Sequence, residues 1–191
     1  MNKFNNNIFK IMQALIEKEK KEAYMRELER ITKTDIKIIS KELSGLVENN
    51  ILDYEIKGKI KQYFLKKNLN TEFVLTMTET YRALEFLEKN PLLKPILTEL
   101  HKEADFVIFG SHALKTNIKD SDLDLVIFAK KSQKIRKILG KINKAHAHFI
   151  TLNEFRKLYK NKNTLAVEVI KNHVLFGNYN EFAKMVLEWN N

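Results

Sequence analysis

The chain contains no cysteine, and only two prolines, five glycines and one tryptophan in 191 residues. Without thiols there is no disulfide framework, no thiolate metal cluster and no cysteine nucleophile, and a reducing cytosol is the expected compartment. Long apolar runs are also missing. Stretches such as Phe106 to Phe109 and Leu123 to Ala129 fall far short of the roughly 20 residues of a spanning helix. The amino terminus, with Asn5, Asn6 and Asn7, lacks the basic-then-apolar order of a secretion signal. The expectation is a cytoplasmic protein without membrane association, and no repeat or low-complexity tract argues otherwise. What is present is apolar residue enough for one large or two small cores, at 44% hydrophobic and 10% aromatic, which argues against general disorder. Acid is in deficit: 34 basic residues against 24 acidic ones leave a formal charge of +10. Such a balance attracts phosphate-bearing partners, but a Lys- and Asn-rich composition alone also produces it, so placement decides.

Ile8, Ile11, Met12, Leu15 and Ile16 recur at helical spacing and predict a first helix over residues 5 to 20. Met25, Leu28 and Ile31 predict a shorter second one. Thr32 to Asp35 supply cap chemistry for a third, whose buried stripe is Ile36, Ile39, Leu43, Leu46 and Val47. Two alternating segments, 51 to 57 and 59 to 65, flank Gly58 and read as a hairpin. Three helices and a hairpin are the elements of a winged helix. Residues 68 to 72 read as a connector. Phe73, Met77, Tyr81, Leu84 and Leu87 then mark a long amphipathic helix, and Asn90 and Pro91 restart the chain into another.

The rhythm changes after residue 103. Short buried-type strands at Phe106 to Phe109 and Leu123 to Phe128 flank a polar loop. A helix follows through Ile135, Ile138, Leu139 and Ile142, and Ala145 to Ile150 is again strand-like. Thr151 and Glu154 form a capping box. Two further helices, at Leu165 to Lys171 and around Phe182 to Trp189, are separated by Gly177 and Asn178.

The most informative residues lie inside this α/β part. Gly110, after a buried strand, lets backbone approach a phosphate, and Ser111 adds a hydroxyl at a helix start, where an anion is favoured. Asp122 and Asp124, two apart at a strand entry, face one way and can share divalent cations that bridge phosphates. Gly-Ser alone is an ordinary turn, and Asp-x-Asp alone an ordinary polar strand entry. In the order strand, Gly110-Ser111, helix, Ser121-Asp122-Leu123-Asp124, they form an anion seat beside a cation site.

This stretch resembles the minimal nucleotidyltransferase domain of the DNA polymerase β superfamily, whose signature is Gly-Ser, a short helix and an Asp-x-Asp about a dozen residues on. Residues 151 to 155 and 174 to 177 extend the resemblance to archaeal and bacterial members in which a winged helix precedes the domain. The resemblance implies a Mg²⁺ (or Mn²⁺) enzyme that uses an NTP, ATP first among them. Asp122 and Asp124 would hold metal. Gly110, Ser111 and Ser121 would hold nucleotide, helped by Lys115. It also implies two departures. Members of the family generally have glycine where this chain has Lys115, and active ones carry a third carboxylate on a later strand. Here that strand holds His146 and His148, and no acid occurs between Asp124 and Glu154. Either histidine could serve as base or as ligand for a softer metal, or merely line the sheet. Asp120 and Glu168 are acids that could substitute, although nothing in their spacing argues for them, while His101, His112 and His173 read as surface or packing residues.

On the third helix, Lys33, Lys37, Ser40, Lys41 and Ser44 fall opposite the apolar stripe and suit a major groove. Lys57, Lys59, Lys61, Lys66 and Lys67 fall within eleven residues that contain no acid, as expected of a wing lying on phosphates. The same surface would also serve protein contacts or dimerisation.

The expected organisation is α+β/α/β: a winged helix-turn-helix DNA-binding domain over 1–68, a helical connector over 69–102, and over 103–191 a small nucleotidyltransferase-type mixed sheet flanked by helices. Expected partners are duplex DNA and a nucleotide, with a protein partner or a second copy left open. The Trp189-bearing last helix is the candidate contact surface. Three activities compete: transfer of a nucleoside monophosphate to a hydroxyl, DNA-binding regulation with a degenerate transferase domain, and antitoxin-type modification or masking of a partner.

Overall fold

A computed structural model of the chain describes residues 5–18, 20–114, 116–118 and 121–188. Lys115, Asp120 and Trp189, named above as candidates, lie outside the described residues. The chain divides into two compact units, one built from the residues up to Thr78 with those from Asn180 onward, the other from Glu79–Tyr179.

In the first unit, α1 (Asn6–Glu17) starts where the Asn5 side chain accepts from the backbone N–H of Asn7 and Ile8, and it buries Ile8, Ile11, Met12, Leu15 and Ile16. It stops three residues earlier than its periodicity suggests, because Glu22–Tyr24 form a strand, β1, with Ala23 in the core. Three residues are too few for alternation to register. Helix α2 (Met25–Thr32) ends at Lys33 in the left-handed region, and Asp35 caps α3 (Ile36–Glu48) by accepting from Lys37 N–H at 2.8 Å. Strands β2 (Leu52–Lys57) and β3 (Ile60–Leu65) meet at Gly58, whose φ of +66° is the left-handed geometry a tight hairpin requires. All pairings are antiparallel, in the order β1-β3-β2.

The expected connector at 68 to 72 is instead the start of a helix, α4 (Leu69–Lys89), which Asn68 opens by accepting from Thr71 N–H at 3.0 Å. Its buried face also differs from expectation. Phe73, Met77 and Leu84 are exposed, whereas Val74, Leu75, Thr78, Glu79, Arg82, Ala83 and Phe86 are buried. Polar residues enter the interior when their bonds are met. Thr71 donates to Ile51 O and Thr78 to Val74 O, while Glu79 and Arg82 bind the buried His173. Apolar spacing alone therefore marks the wrong stripe.

The second unit continues from α4 through α5 (Lys94–His101), which begins after a turn at 91–93 rather than directly at Pro91. Next come β4 (Phe106–Phe109), α6 (Gly110–Leu114), β5 (Leu123–Ile127), α7 (Gln133–Leu139), β6 (Ala145–Phe149), α8 (Leu152–Lys160), α9 (Thr164–Lys171) and β7 (His173–Phe176). Helix α10 (Tyr179–Glu188) closes the described chain. The sheet is mixed, in the order β6-β5-β4-β7, with only the β5–β6 pair parallel, and α7 makes that crossover. Strands β4 and β7 are buried along their whole length. Phe86, Leu97, Leu100, Phe106, Ile108, Leu125, Ile135 and Phe176 form the core beneath them, with the Phe106 and Phe176 rings stacked at 4.8 Å. The capping box at α8 is present, with Thr151 N–H donating to Glu154 at 2.8 Å and Glu154 N–H to Thr151 Oγ1 at 3.2 Å. Strand β7 was not legible as a strand, since it follows α9 after a single residue, Asn172.

Candidate active site

Register builds this site. Phe109, the last residue of β4, pairs with Asp124 on β5, so the chain turns out of β4 directly beside that carboxylate. Gly110 makes the turn at a φ of +69°, and a Cβ placed on it would stand 2.6 Å from Asp124 Oδ2. Glycine is required there twice over, by backbone conformation and by the approach of the acid. Ser111 follows on α6, half-buried, and its carbonyl accepts from Thr116 N–H at 3.0 Å.

The loop back to β5 is tied by Ser121, whose Oγ accepts from Ile118 N–H at 2.9 Å. Its carbonyl faces His112 Nε2 at 3.4 Å. A carbonyl can only accept, so Nε2 is the donor in this arrangement, and the buried Nδ1 has no hydrogen-bond partner among the described residues. The tripeptide Gly110-Ser111-His112 was the available signal for this third residue, which sequence reasoning assigned to surface or packing. Asp122 is exposed and stands one residue ahead of β5, so only Asp124 lies within the strand proper. Between them Leu123 N–H donates to Lys144 O at 2.9 Å, fixing the strand entry to the residue before β6.

On the other side of β5, the parallel register sets His146 against Asp124. Its Nδ1 lies 3.6 Å from Asp124 Oδ1, with the imidazole two-thirds exposed and the carboxylate 29% exposed. His148, on the same strand face, stacks edge-on with His146 at 4.9 Å and lies 6.2 Å from the Phe109 ring. Gly110, Asp124, His146 and His148 thus converge, and Ser111 is bonded to the first of them in sequence. Glu168 is exposed on α9. Among the described residues no three His, Asp or Glu side chains gather closely enough to enclose a metal ion by themselves.

Residues 91–175 match the family model described as "Nucleotidyltransferase domain". The matched stretch includes the bend at Gly110, both aspartates, both β6 histidines and most of β7, and it supports a nucleotidyltransferase fold and nucleotidyl transfer as the general class of function. A nucleotide is the ligand this family implies, with a divalent metal as its usual companion. No curated protein and no solved structure matches the chain. The donor chemistry fits a hard divalent cation in part: Asp124 has carboxylate oxygens at the bend, Asp122 is an exposed carboxylate two residues before it, and His146 adds a nitrogen better suited to Mn²⁺ than to Mg²⁺.

The remaining sequence candidates lie in the first unit. Lys37, Ser40, Lys41 and Ser44 are exposed on α3, as the helical spacing predicts, and Ser44 donates to Ser40 O at 3.0 Å. Lys33 is exposed too but lies outside that helix, at the left-handed end of α2, because Asp35 and not Thr32 caps α3. The hairpin lysines are less free than an acid-free stretch suggests. Lys57 pairs with Glu55 at 2.7 Å and Lys66 with Asp53 at 3.5 Å, acids contributed by β2, and Lys61 sits 3.9 Å over the Tyr54 ring. The Glu55 hydrogen bond raises the pKa of Lys57. Lys59 is exposed at the turn without an ion pair among the described residues.

No helix among the described residues is long and apolar enough to cross a membrane.

Proposed function

We propose that the second unit transfers a nucleoside monophosphate from an NTP, ATP first, to a hydroxyl acceptor, with pyrophosphate leaving and the hydroxyl proton released, using Mg²⁺ or Mn²⁺ held by Asp122 and Asp124. The observation that supports the reading is the Asp124 carboxylate close against the Gly110 bend, where it would serve as a cation ligand beside backbone suited to phosphate. Gly110 keeps the backbone bare of a Cβ there, Ser111 and Ser121 supply hydroxyls, and Lys115 is the proposed cationic helper. The metal would supply charge neutralisation at the phosphates and stabilise attacking and leaving oxygens of an in-line displacement. Asp124 would orient it. His146 or His148 would occupy the place of the missing carboxylate.

The first unit is proposed as a winged helix for duplex DNA. Its order of helices and strands, the hairpin at Gly58 and the exposed row Lys33, Lys37, Ser40, Lys41 and Ser44 support this, with Lys57, Lys59 and Lys61 on the hairpin. Few base-reading side chains occur on that face, so phosphate contacts dominate.

Imidazoles where active relatives carry an acid favour a second reading, a DNA-binding regulator or antitoxin whose transferase domain binds nucleotide without turning it over. Incubation with labelled NTPs and Mg²⁺ or Mn²⁺ separates the two. Label transferred to nucleic acid, protein or a small acceptor, and lost in Asp122→Ala, supports the enzyme. Absence of transfer to the protein itself, to cellular RNA and to lysate proteins favours the regulator.

A further inference from the structure

Strand β1 covers only part of its neighbour. It pairs with β3 from Glu22↔Phe64 to Tyr24↔Gln62 and then ends, while β3 begins two residues earlier at Ile60. The β3 backbone at Ile60 and Lys61 therefore has no strand on that side. The gap opens into a cleft of about 290 Å³ lined by Tyr24, Met25, Arg26, Lys59, Ile60, Lys61 and Tyr63.

Three properties of the cleft bear on its occupant. Tyr24 and Tyr63 both line it, and the Tyr63 ring lies 5.8 Å from the Tyr54 ring, over which Lys61 sits. Ile60 is 56% exposed, an apolar side chain left in water at the mouth. Arg26, Lys59 and Lys61 give the lining three cations and no acid, although Arg26 also pairs with Glu29 on its own helix at 3.2 Å. An apolar ligand alone would not call for the cations, and phosphate alone would not call for tyrosines and isoleucine. A peptide adding a strand is disfavoured because two uncovered residues, of which antiparallel alternation turns only one N–H and C=O pair toward the gap, are too short an edge to template one.

We propose that this cleft holds an unstacked nucleotide of single-stranded nucleic acid. The base would lie against tyrosine and Ile60, its polar edge would meet the unpaired β3 backbone, and its flanking phosphates would meet Arg26, Lys59 and Lys61. Such a combination of aromatic platform and basic rim is the general solution for single strands. The volume suits one base with its sugar. The site shares Lys59 and Lys61 with the hairpin proposed for duplex and none of the α3 residues proposed for it, and it does not depend on the transferase reading.

The test is fluorescence anisotropy of the full chain with a short labelled oligothymidylate, competed by unlabelled oligothymidylate or by a blunt duplex of equal length. Wild-type protein is expected to bind the single strand, and Tyr63→Ala to weaken it about tenfold or more, as for loss of one stacked base. Tyr63→Phe should retain it, because the ring and not the hydroxyl provides the platform. Ile60→Ser, at an exposed position that does not endanger folding, should weaken single-strand binding several-fold with duplex binding unchanged. The proposal is overturned if no single-strand binding is detected. It is equally overturned if Ile60→Ser leaves that binding intact, or if both variants weaken duplex and single strand alike, which would assign the cleft to the duplex face. Preferential displacement of the oligonucleotide by an acidic tyrosine-containing peptide would also overturn it in favour of a protein ligand.

Discussion

Asp124 and Gly110 are held so close that the glycine has no room for a side chain: a Cβ would stand 2.6 Å from Asp124 Oδ2. The antiparallel pair Phe109↔Asp124 enforces this closeness, and the bend at +69° follows from it.

The first prediction is a coupling between these residues. Gly110→Ala must adopt a left-handed conformation, costing about 1 to 2 kcal/mol for a non-glycine residue, and must displace the carboxylate. In an Asp124→Ala background the second cost vanishes. Urea unfolding should therefore show Gly110→Ala to be clearly less destabilising when Asp124 is absent. Equal costs in the two backgrounds would mean that the carboxylate does not rest on the bend.

A second prediction concerns the buried group Glu79, Arg82 and His173. His173 Nε2 meets Glu79 Oε2 at 2.9 Å, and Arg82 donates to His173 O at 2.9 Å, with all three side chains largely withdrawn from water. Removing one partner from a buried charged network typically costs about 3 to 5 kcal/mol, because the others stay uncompensated. Glu79→Ala should lower stability on that scale in urea titrations. A change near 0.5 kcal/mol, typical of surface substitutions, would contradict the network.

The capping box gives a prediction with pH. Bonds from Thr151, first through its backbone and then through its hydroxyl, lower the pKa of Glu154 below the ordinary 4.5. A depressed carboxylate contributes stability above its unfolded-state pKa, and that contribution fades as pH falls through the lower, folded value. Wild type should therefore exceed Glu154→Gln in melting temperature at neutral pH, and the two should converge as pH falls through and below 4.5. A gap independent of pH would point to the hydrogen-bond geometry and not the charge.

For the first unit, duplex DNA affinity should fall linearly on a log scale with log salt concentration. Lys37→Ala, at an exposed α3 position, should reduce that slope by about one phosphate contact. A flat salt response would refute a lysine-to-phosphate interface.

The parts of the molecule visible in its sequence share a physical cause. Gly110-Ser111, the Asp122 and Asp124 pair, the Gly58 hairpin and the Thr151–Glu154 cap depend on local chemistry, where neighbours in sequence determine geometry. What stayed hidden depends on partners distant in the chain. The stripe of Phe73, Met77 and Leu84 marks the helix but not its buried face, because apolar spacing cannot reveal that Thr71, Thr78, Glu79 and Arg82 find hydrogen-bond partners inside. Strand β1 is buried through one residue, Ala23, too little to show a period. The 3.6 Å approach of His146 to Asp124 follows from the parallel β5–β6 register, which no spacing within either strand encodes. His112 reads as surface or packing in the sequence because its contact with the carbonyl of Ser121 comes from the return of the loop, nine residues on.

The claim on which the functional account rests is that the Gly110 bend and the neighbouring acids grip a metal-bound nucleotide. Calorimetric titration of ATP into the protein, with and without Mn²⁺, into wild type and into Asp124→Asn, tests it whether or not the protein turns nucleotide over. The account predicts saturable binding that requires the metal and weakens at least tenfold in the variant. Metal-independent binding of equal strength in both proteins would contradict it.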